Sequence, residues 1–206
     1  MKTVKFLFVL LFILSTPLQL FGRVTESAEN LLRIIHKVNR HWQENNSPQV
    51  RSFWDNAAYH TGNMEVYELT GNPPYLKYST DWAEYNHWKG AASDNKAEWK
   101  YGYGETPQYV LFGDWQCCFQ TYADLYGIRG DDRRIARARE VLEYQMGTDK
   151  NDYWWWADGL YMVMPVMTKL YRITKNPLYL EKLYEYFSYA DSVMYDPEAG
   201  LSLIHI

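Results

Sequence analysis

Three aspartates stand at nearly the same distance before a repeated tyrosine. Asp55 lies twelve residues before Tyr67, Asp114 twelve before Tyr126, and Asp158 thirteen before Tyr171. Each has tryptophan beside it: Trp54, Trp115, and the run Trp154, Trp155, Trp156 in "NDYWWWADGLYMVMPV". A carboxyl buried against aromatic rings holds its proton towards neutral pH, which suits a general acid. A neighbouring carboxylate that stays charged can position a substrate or tune the first group. The competing reading is structural, because an aspartate at a helix start accepts hydrogen bonds from the free N–H groups. For Asp55 the capping reading carries equal weight. For Asp114 and Asp158 a cap and a chemical role are compatible. His60 follows Asp55 within two turns and reads as a hydrogen-bonded core histidine. Cys117 and Cys118 are adjacent, where a mutual disulfide would be strained, so they read as core residues. Two cysteines and five scattered histidines make no metal framework.

The elements that must carry these residues are helical hairpins. "YELTGNPPYL" (67–76), "YGIRGDDRRI" (126–135) and "YRITKNPLYL" (171–180) align without gaps. Each reads as a helix end, a turn and a helix start, with Pro73 and Pro177 where a first helical turn tolerates proline. The spacing predicts helices over 26–44, 53–69, 73–89, 114–127, 131–146, 158–174 and 176–194. Helices after the turns are amphipathic: Ile135, Ala138, Val141, Leu142 and Met146 form one stripe, with Arg and Glu opposite. Helices before the turns are apolar; Leu160, Val163, Met164, Val166, Met167, Leu170 and Ile173 predict a helix buried all round. Alternation of the two kinds implies an inner and an outer ring, the logic of an α/α toroid. The three aspartates then open three inner helices at one mouth. Pro165 frees the carbonyl of Tyr161 and should kink its helix. Residues 91–110 predict a long loop, of the kind that often carries function.

The bulk composition narrows the partners. A net charge of −4 without clustered Lys or Arg argues against nucleic acid or an anionic membrane surface. The aromatic content, with 9 Trp and 19 Tyr, suits both sugar-binding surfaces and thick helical cores. Residues 1–22 read as a secretory signal peptide, with Lys2 and Lys5 before an apolar run at 6–14. A periplasmic or secreted protein, off the membrane after cleavage, is the expectation.

With these segments in view, "FGDWQCCFQTYADLY" and "WWWADGLYMVMPVMTKLYRITKNPLYL" resemble the unsaturated glucuronyl and rhamnogalacturonyl hydrolases, glycoside hydrolase families 88 and 105. The most specific element is D-G-L-Y-M-x-x-P at 158–165, and the resemblance covers roughly residues 26–200. It implies an all-α (α/α)6 barrel, of which about seven helices fall in this chain. It also implies removal of a 4,5-unsaturated uronic acid from the non-reducing end of lyase-generated oligosaccharides. By resemblance Asp158 protonates C4 and takes a proton from the water that adds to C5. Asp114 matches the second aspartate, which positions the sugar, and Met162 matches a position near it. Trp54, Asp55, Trp115 and Trp156 complete the expected substrate contacts. No metal or organic cofactor is implied. The expected domain is 23–206, the first part of one toroid, with 201–206 resembling a translated sequencing adapter at a truncated end. A truncated toroid would expose apolar helices and aggregate or dimerise. The alternatives are another toroid enzyme, an epimerase or inverting glycosidase, and a non-catalytic glycan-binding protein.

Overall fold

The computed structural model describes residues 27–202. The expected signal peptide and most of 201–206 lie outside them. The chain divides into two compact units at Ser47 and Pro48. The first contributes helix α1 (27–45), whose last carbonyls accept from side chains: Asn45 donates to His41 O at 2.7 Å and Asn46 to Trp42 O at 2.9 Å. Such bonds occupy the acceptors that a helix end leaves open.

The second unit is a two-layer array of helical hairpins. Its helices are α2 (Trp54–Thr70), α3 (Pro73–Tyr85), α4 (Gly113–Gln116), α5 (Cys118–Ile128), α6 (Arg133–Met146), α7 (Ala157–Thr174) and α8 (Leu178–Met194). Helix α5 packs between α2 and α7, and α3, α6 and α8 each pack on the inner helix that precedes them. This is the inner and outer layering of an α/α toroid. Among the described residues, the only strands are β1 (Tyr195–Asp196) and β2 (Leu201–Ser202), a two-residue antiparallel pair that the sequence pattern did not indicate.

The repeat has a common physical basis in two of its three copies. Gly71 closes α2 in the left-handed region at φ 65°, and Lys175 closes α7 the same way at φ 60°. Thr70 donates to Val66 O while its hydroxyl accepts from Asn72 N–H; Thr174 does the same with Leu170 O and Asn176 N–H. A left-handed residue past the helix end ties up the last carbonyls and reverses the chain. The third copy differs: Arg129 ends α5 at φ −142°.

Three expectations are corrected. The third helix stops at Tyr85 because His87 and Trp88 turn left-handed, at φ 53° and 59°. Residues 114–127 form two helices, α4 and α5, separated at Cys117, although Cys117 keeps right-handed helical angles. Helix α7 is not buried all round: Tyr161, Thr168 and Arg172 are exposed along one face. The stripe on α6 is buried as expected, but so are Arg134 and Arg137 from its charged side. Each guanidinium stacks on an indole, Trp88 and Trp99, both at 4.9 Å, so the arginines pack as flat plates.

Arg137 also donates to the carbonyls of Ala91 and Ser93, fixing one end of the predicted long loop. Lys100 N–H bonds Gln108 O at 2.9 Å, and Leu111 N–H bonds Lys100 O at 3.0 Å. These bonds pinch the loop into an excursion with Tyr103 near its tip. It leads straight into α4.

Candidate active site

The three inner helices begin alike. Each has an aromatic N-cap, then one residue, then aspartate: Phe53-Trp54-Asp55, Phe112-Gly113-Asp114 and Trp156-Ala157-Asp158. No N-cap side chain among them makes a capping bond. The aspartates therefore occupy the second helical position and are not the caps.

A cavity of about 390 Å³ opens at these helix starts, within the roughly 300–1,000 Å³ of small-molecule sites. Asp114 and Asp158 both line it, with Trp54, Trp155, Trp156, Phe112 and Tyr103 as aromatic walls. Tyr161 and Met162 from α7, Cys117 from α4–α5 and Ala58 from α2 complete the lining. Thus Asp114, Asp158, Trp54, Trp156 and Met162 come together as expected. Of the expected tryptophan run, Trp155 and Trp156 line the cavity and Trp154 does not; the groups missed by sequence are Tyr103, Phe112, Cys117, Tyr161 and Ala58. Three of these follow a named residue at helical spacing: Ala58 after Trp54, Cys117 after Asp114, and Tyr161 after Asp158.

Two expected residues do not line the cavity. Trp115 lies behind it, its ring 4.7 Å from Phe53 and its indole N–H donating to Gly104 O at 3.2 Å. A residue next to Asp114 on a helix is turned by about 100° from it, and here that turn carries Trp115 towards Phe53 and Gly104. Trp115 instead anchors the loop that presents Tyr103. Asp55 is exposed; it accepts from Asn56 N–H at 3.0 Å and pairs with Arg51 at 3.5 Å. Arg51 also pairs with Glu105, tying the loop to the start of α2.

The two glycines beside the pocket aspartates make room for Trp156. A Cβ on Gly113 would stand 3.0 Å from the Trp156 ring, and one on Gly159 3.3 Å from it. Trp156 packs tilted on Phe112 at 4.9 Å and on Trp155 at 4.9 Å. The G-D of α4 and the D-G of α7 therefore clasp one indole from both sides, and that indole sets the spacing of the helix starts.

The carboxylates differ in setting, and the difference reverses an expectation. Asp158 is exposed at the pocket mouth, not buried among the tryptophans. Asp114 is the buried one, only 6% exposed, and its Oδ1 has no hydrogen-bond partner. Burial pushes Asp114 up to about 7, helped by the negative charges of Asp158, Glu105 and Asp55. The free N–H groups of the helix start would favour the charged form, but desolvation outweighs them. Around neutral pH Asp114 is therefore poised between its neutral and charged forms, within electrostatic reach of Asp158.

His60 is set apart from this chemistry. It lies between Trp82 at 3.9 Å and Tyr78 at 5.5 Å, with Nδ1 3.0 Å from Ser79 Oγ. Burial lowers its pKa to about 3, so it is a neutral core group. Cys117 and Cys118 are buried free thiols, and burial pushes Cys117 up to about 12. Among the described residues, no three His, Cys, Asp or Glu side chains cluster as metal ligands, and no helix is long and apolar enough to cross a membrane.

Hairpins in two layers, with paired carboxylates in an aromatic cleft at the inner helix starts, define an α/α-toroid protein with its pocket at one mouth. The particular family follows from comparison. Residues 28–203 match the model of glycosyl hydrolase family 88, and the chain belongs to that family. It is 24% identical over 156 residues to the unsaturated 3S-rhamnoglycuronyl hydrolase of Formosa agariphila, covering 72% of this chain and 39% of that protein. A solved glycosyl hydrolase family 88 protein from Bacteroides vulgatus superposes with a TM-score of 0.83 at 69% identity, over 84% of this chain and 50% of the other. A solved protein named a polysaccharide lyase gives 0.83 at 70% identity, over 85% and 50%. The chain thus spans about half the length of these solved structures and about two fifths of the curated relative.

Proposed function

We propose that this chain forms the acid–base half of a glycoside hydrolase that removes a 4,5-unsaturated uronic acid from the non-reducing end of an oligosaccharide. The observation that carries the reading is the meeting of Asp114 and Asp158 in one aromatic-walled cavity at the starts of α4 and α7. The D-G-L-Y-M-x-x-P run at 158–165 and membership of family 88 support it.

The chemistry is hydration of a vinyl ether. Asp158, exposed at the mouth and entering the cycle in its protonated form, delivers that proton to C4 of the sugar. Water adds to C5 and returns its proton to the same carboxylate. The C5 hemiketal opens to a ketone, and C1, now a hemiacetal, expels the alcohol of the next sugar. Protons balance, and no redox step occurs. Asp114, pushed up to about 7, carries a proton in part at neutral pH and increasingly below it. It can donate a hydrogen bond to a sugar hydroxyl. Trp54, Trp155 and Trp156 offer flat faces to the sugar C–H groups. The sequence of residues 1–22 supports export, and hence action on polysaccharide fragments outside the cytoplasm.

A second reading comes from the neighbour named a polysaccharide lyase. A lyase would use a carboxylate as base to remove the C5 proton and create the double bond. The two reactions move the ultraviolet absorbance of the conjugated uronate in opposite directions. The proposal expects it to fall on unsaturated oligosaccharides and stay flat on the saturated polymer. A rise on the polymer would establish the lyase, and ligand binding without either change would leave a glycan-binding protein.

A further inference from the structure

Pro165 lies within α7 and has no N–H for the carbonyl four residues earlier, that of Tyr161. An orphaned carbonyl costs about 1–3 kcal/mol when buried, yet the helix runs on unbroken from Ala157 to Thr174. The missing donor comes from another helix. Gln120 of α5, itself 5% exposed, donates from Nε2 to Tyr161 O at 2.8 Å and to Met162 O at 3.0 Å. Both amide hydrogens are thus used on consecutive carbonyls of α7.

The place of this bond matters. Tyr161 and Met162 line the pocket one helical turn after Asp158. Gln120 is on the helix that continues, through Cys117, from the turn bearing Asp114. The amide therefore spans the two segments that carry the two pocket carboxylates. A second tie runs to α2, where Thr61 Oγ1 lies 2.9 Å from the Tyr161 hydroxyl. Apolar packing between α5 and α7 can slide or rotate; two bonds from one planar amide to two successive carbonyls fix rotation and height together.

We propose that Gln120 is a positioning residue: with the carbonyl freed by Pro165 as its socket, it sets the register of α7 against α4–α5 and so the placement of Asp158 relative to Asp114. The catalytic consequence rests on the hydrolase reading; the geometric one does not. Proline and glutamine then work as a pair, one opening an acceptor inside a helix and the other filling it from the neighbour.

The test is a double-mutant cycle of Gln120→Leu and Pro165→Ala. Gln120→Leu removes the clamp and orphans Tyr161 O. Pro165→Ala restores the helical N–H, so the clamp is no longer required for that carbonyl. Three quantities are read: kcat and KM on an unsaturated uronyl disaccharide, the titration midpoint of the Asp114 carboxyl by isotope-edited infrared spectroscopy, and thermal stability. For Gln120→Leu, kcat falls about 10- to 100-fold, the loss a misplacement near 1 Å can bring, with KM changed less than about twofold. The Asp114 midpoint moves from about 7 towards the ordinary carboxylate range as the pocket loosens. Adding Pro165→Ala recovers the stability lost with the orphaned carbonyl but neither kcat nor the midpoint, because a bond within α7 does not tie it to α5. A Gln120→Leu protein less stable but with unchanged kcat and midpoint would reduce Gln120 to a structural residue and overturn the proposal. So would a double variant that recovers the wild-type kcat and midpoint. Should the single variant fail to fold, the double variant decides: it folds with kcat and midpoint displaced as above, and wild-type values of both, or failure to fold, overturn the proposal. If no variant, nor the wild type, turns over the disaccharide, the hydrolase reading fails while the midpoint still tests the clamp.

Discussion

Replacing Asp114 by asparagine should make the protein more stable above neutral pH while impairing catalysis. The wild-type carboxyl is buried, has an unpartnered Oδ1, and is pushed from 3.8 to about 7. The folded state therefore holds a proton that the unfolded chain releases between about pH 4 and pH 7. Stability falls as pH rises through that window and is fully reduced above it. Below about pH 4 both states are protonated and the effect vanishes. Without screening, a change from 3.8 to about 7 is worth ~4 kcal/mol. Water at the open side of the cavity reduces this to about 1–2 kcal/mol. Asparagine has nearly the same shape and no charge, and the cost of burying its amide does not vary with pH. The difference in unfolding free energy between Asp114→Asn and wild type, measured by urea titration across pH 4–8.5, should rise by about 1–2 kcal/mol towards alkaline pH. A difference constant with pH, or one that falls as pH rises, would refute the argument that Asp114 is a desolvated acid.

Other predictions follow from the same geometry. The wild-type rate should decline above about pH 7, as Asp114 loses its proton and with it the hydrogen bond it can donate to the sugar; a pH–rate profile climbing into the alkaline range would contradict this. Gly113→Ala places a methyl 3.0 Å from the Trp156 ring and should cost about 1–2 kcal/mol and weaken substrate binding, read by thermal unfolding and KM. Gly159→Ala, at 3.3 Å and with a gain in helix propensity, should be close to neutral in stability. Lys175→Gly relieves a left-handed residue where the equivalent turn already has Gly71, and should raise stability by about 0.5–1 kcal/mol in the same unfolding assay.

The hairpin repeat and the helix starts were legible because each rests on local chemistry. The "TGNP" and "TKNP" turns close with the same left-handed residue and the same threonine bonds, so their similarity in sequence is similarity in backbone. The aspartate spacing located the pocket for the same reason. What failed was side-chain direction. Trp115 was grouped with its neighbour Asp114, although adjacent helical residues point about 100° apart. Asp55 was grouped with Trp54, but it turns to Arg51. Tyr103 comes from a loop with no periodicity, and only the loop's length hinted at it. Which aspartate is buried was not readable, because desolvation depends on what the folded chain stacks around each carboxyl. The orphaned carbonyl before Pro165 could be read from sequence, but its partner Gln120 could not, since the bond joins residues 41 apart.

In the function proposed above, Asp158, at the start of α7 and sharing its cavity with Asp114, moves the proton in hydration of an unsaturated uronic acid. The most direct measurement is single-turnover loss of the conjugated uronate absorbance by wild type and by Asp158→Asn, with substrate affinity measured separately by calorimetry. The expected rate of the variant is lower by roughly 10²–10⁴, the usual worth of a general acid–base group, with affinity within a few-fold of wild type. Near-normal turnover by Asp158→Asn would contradict it.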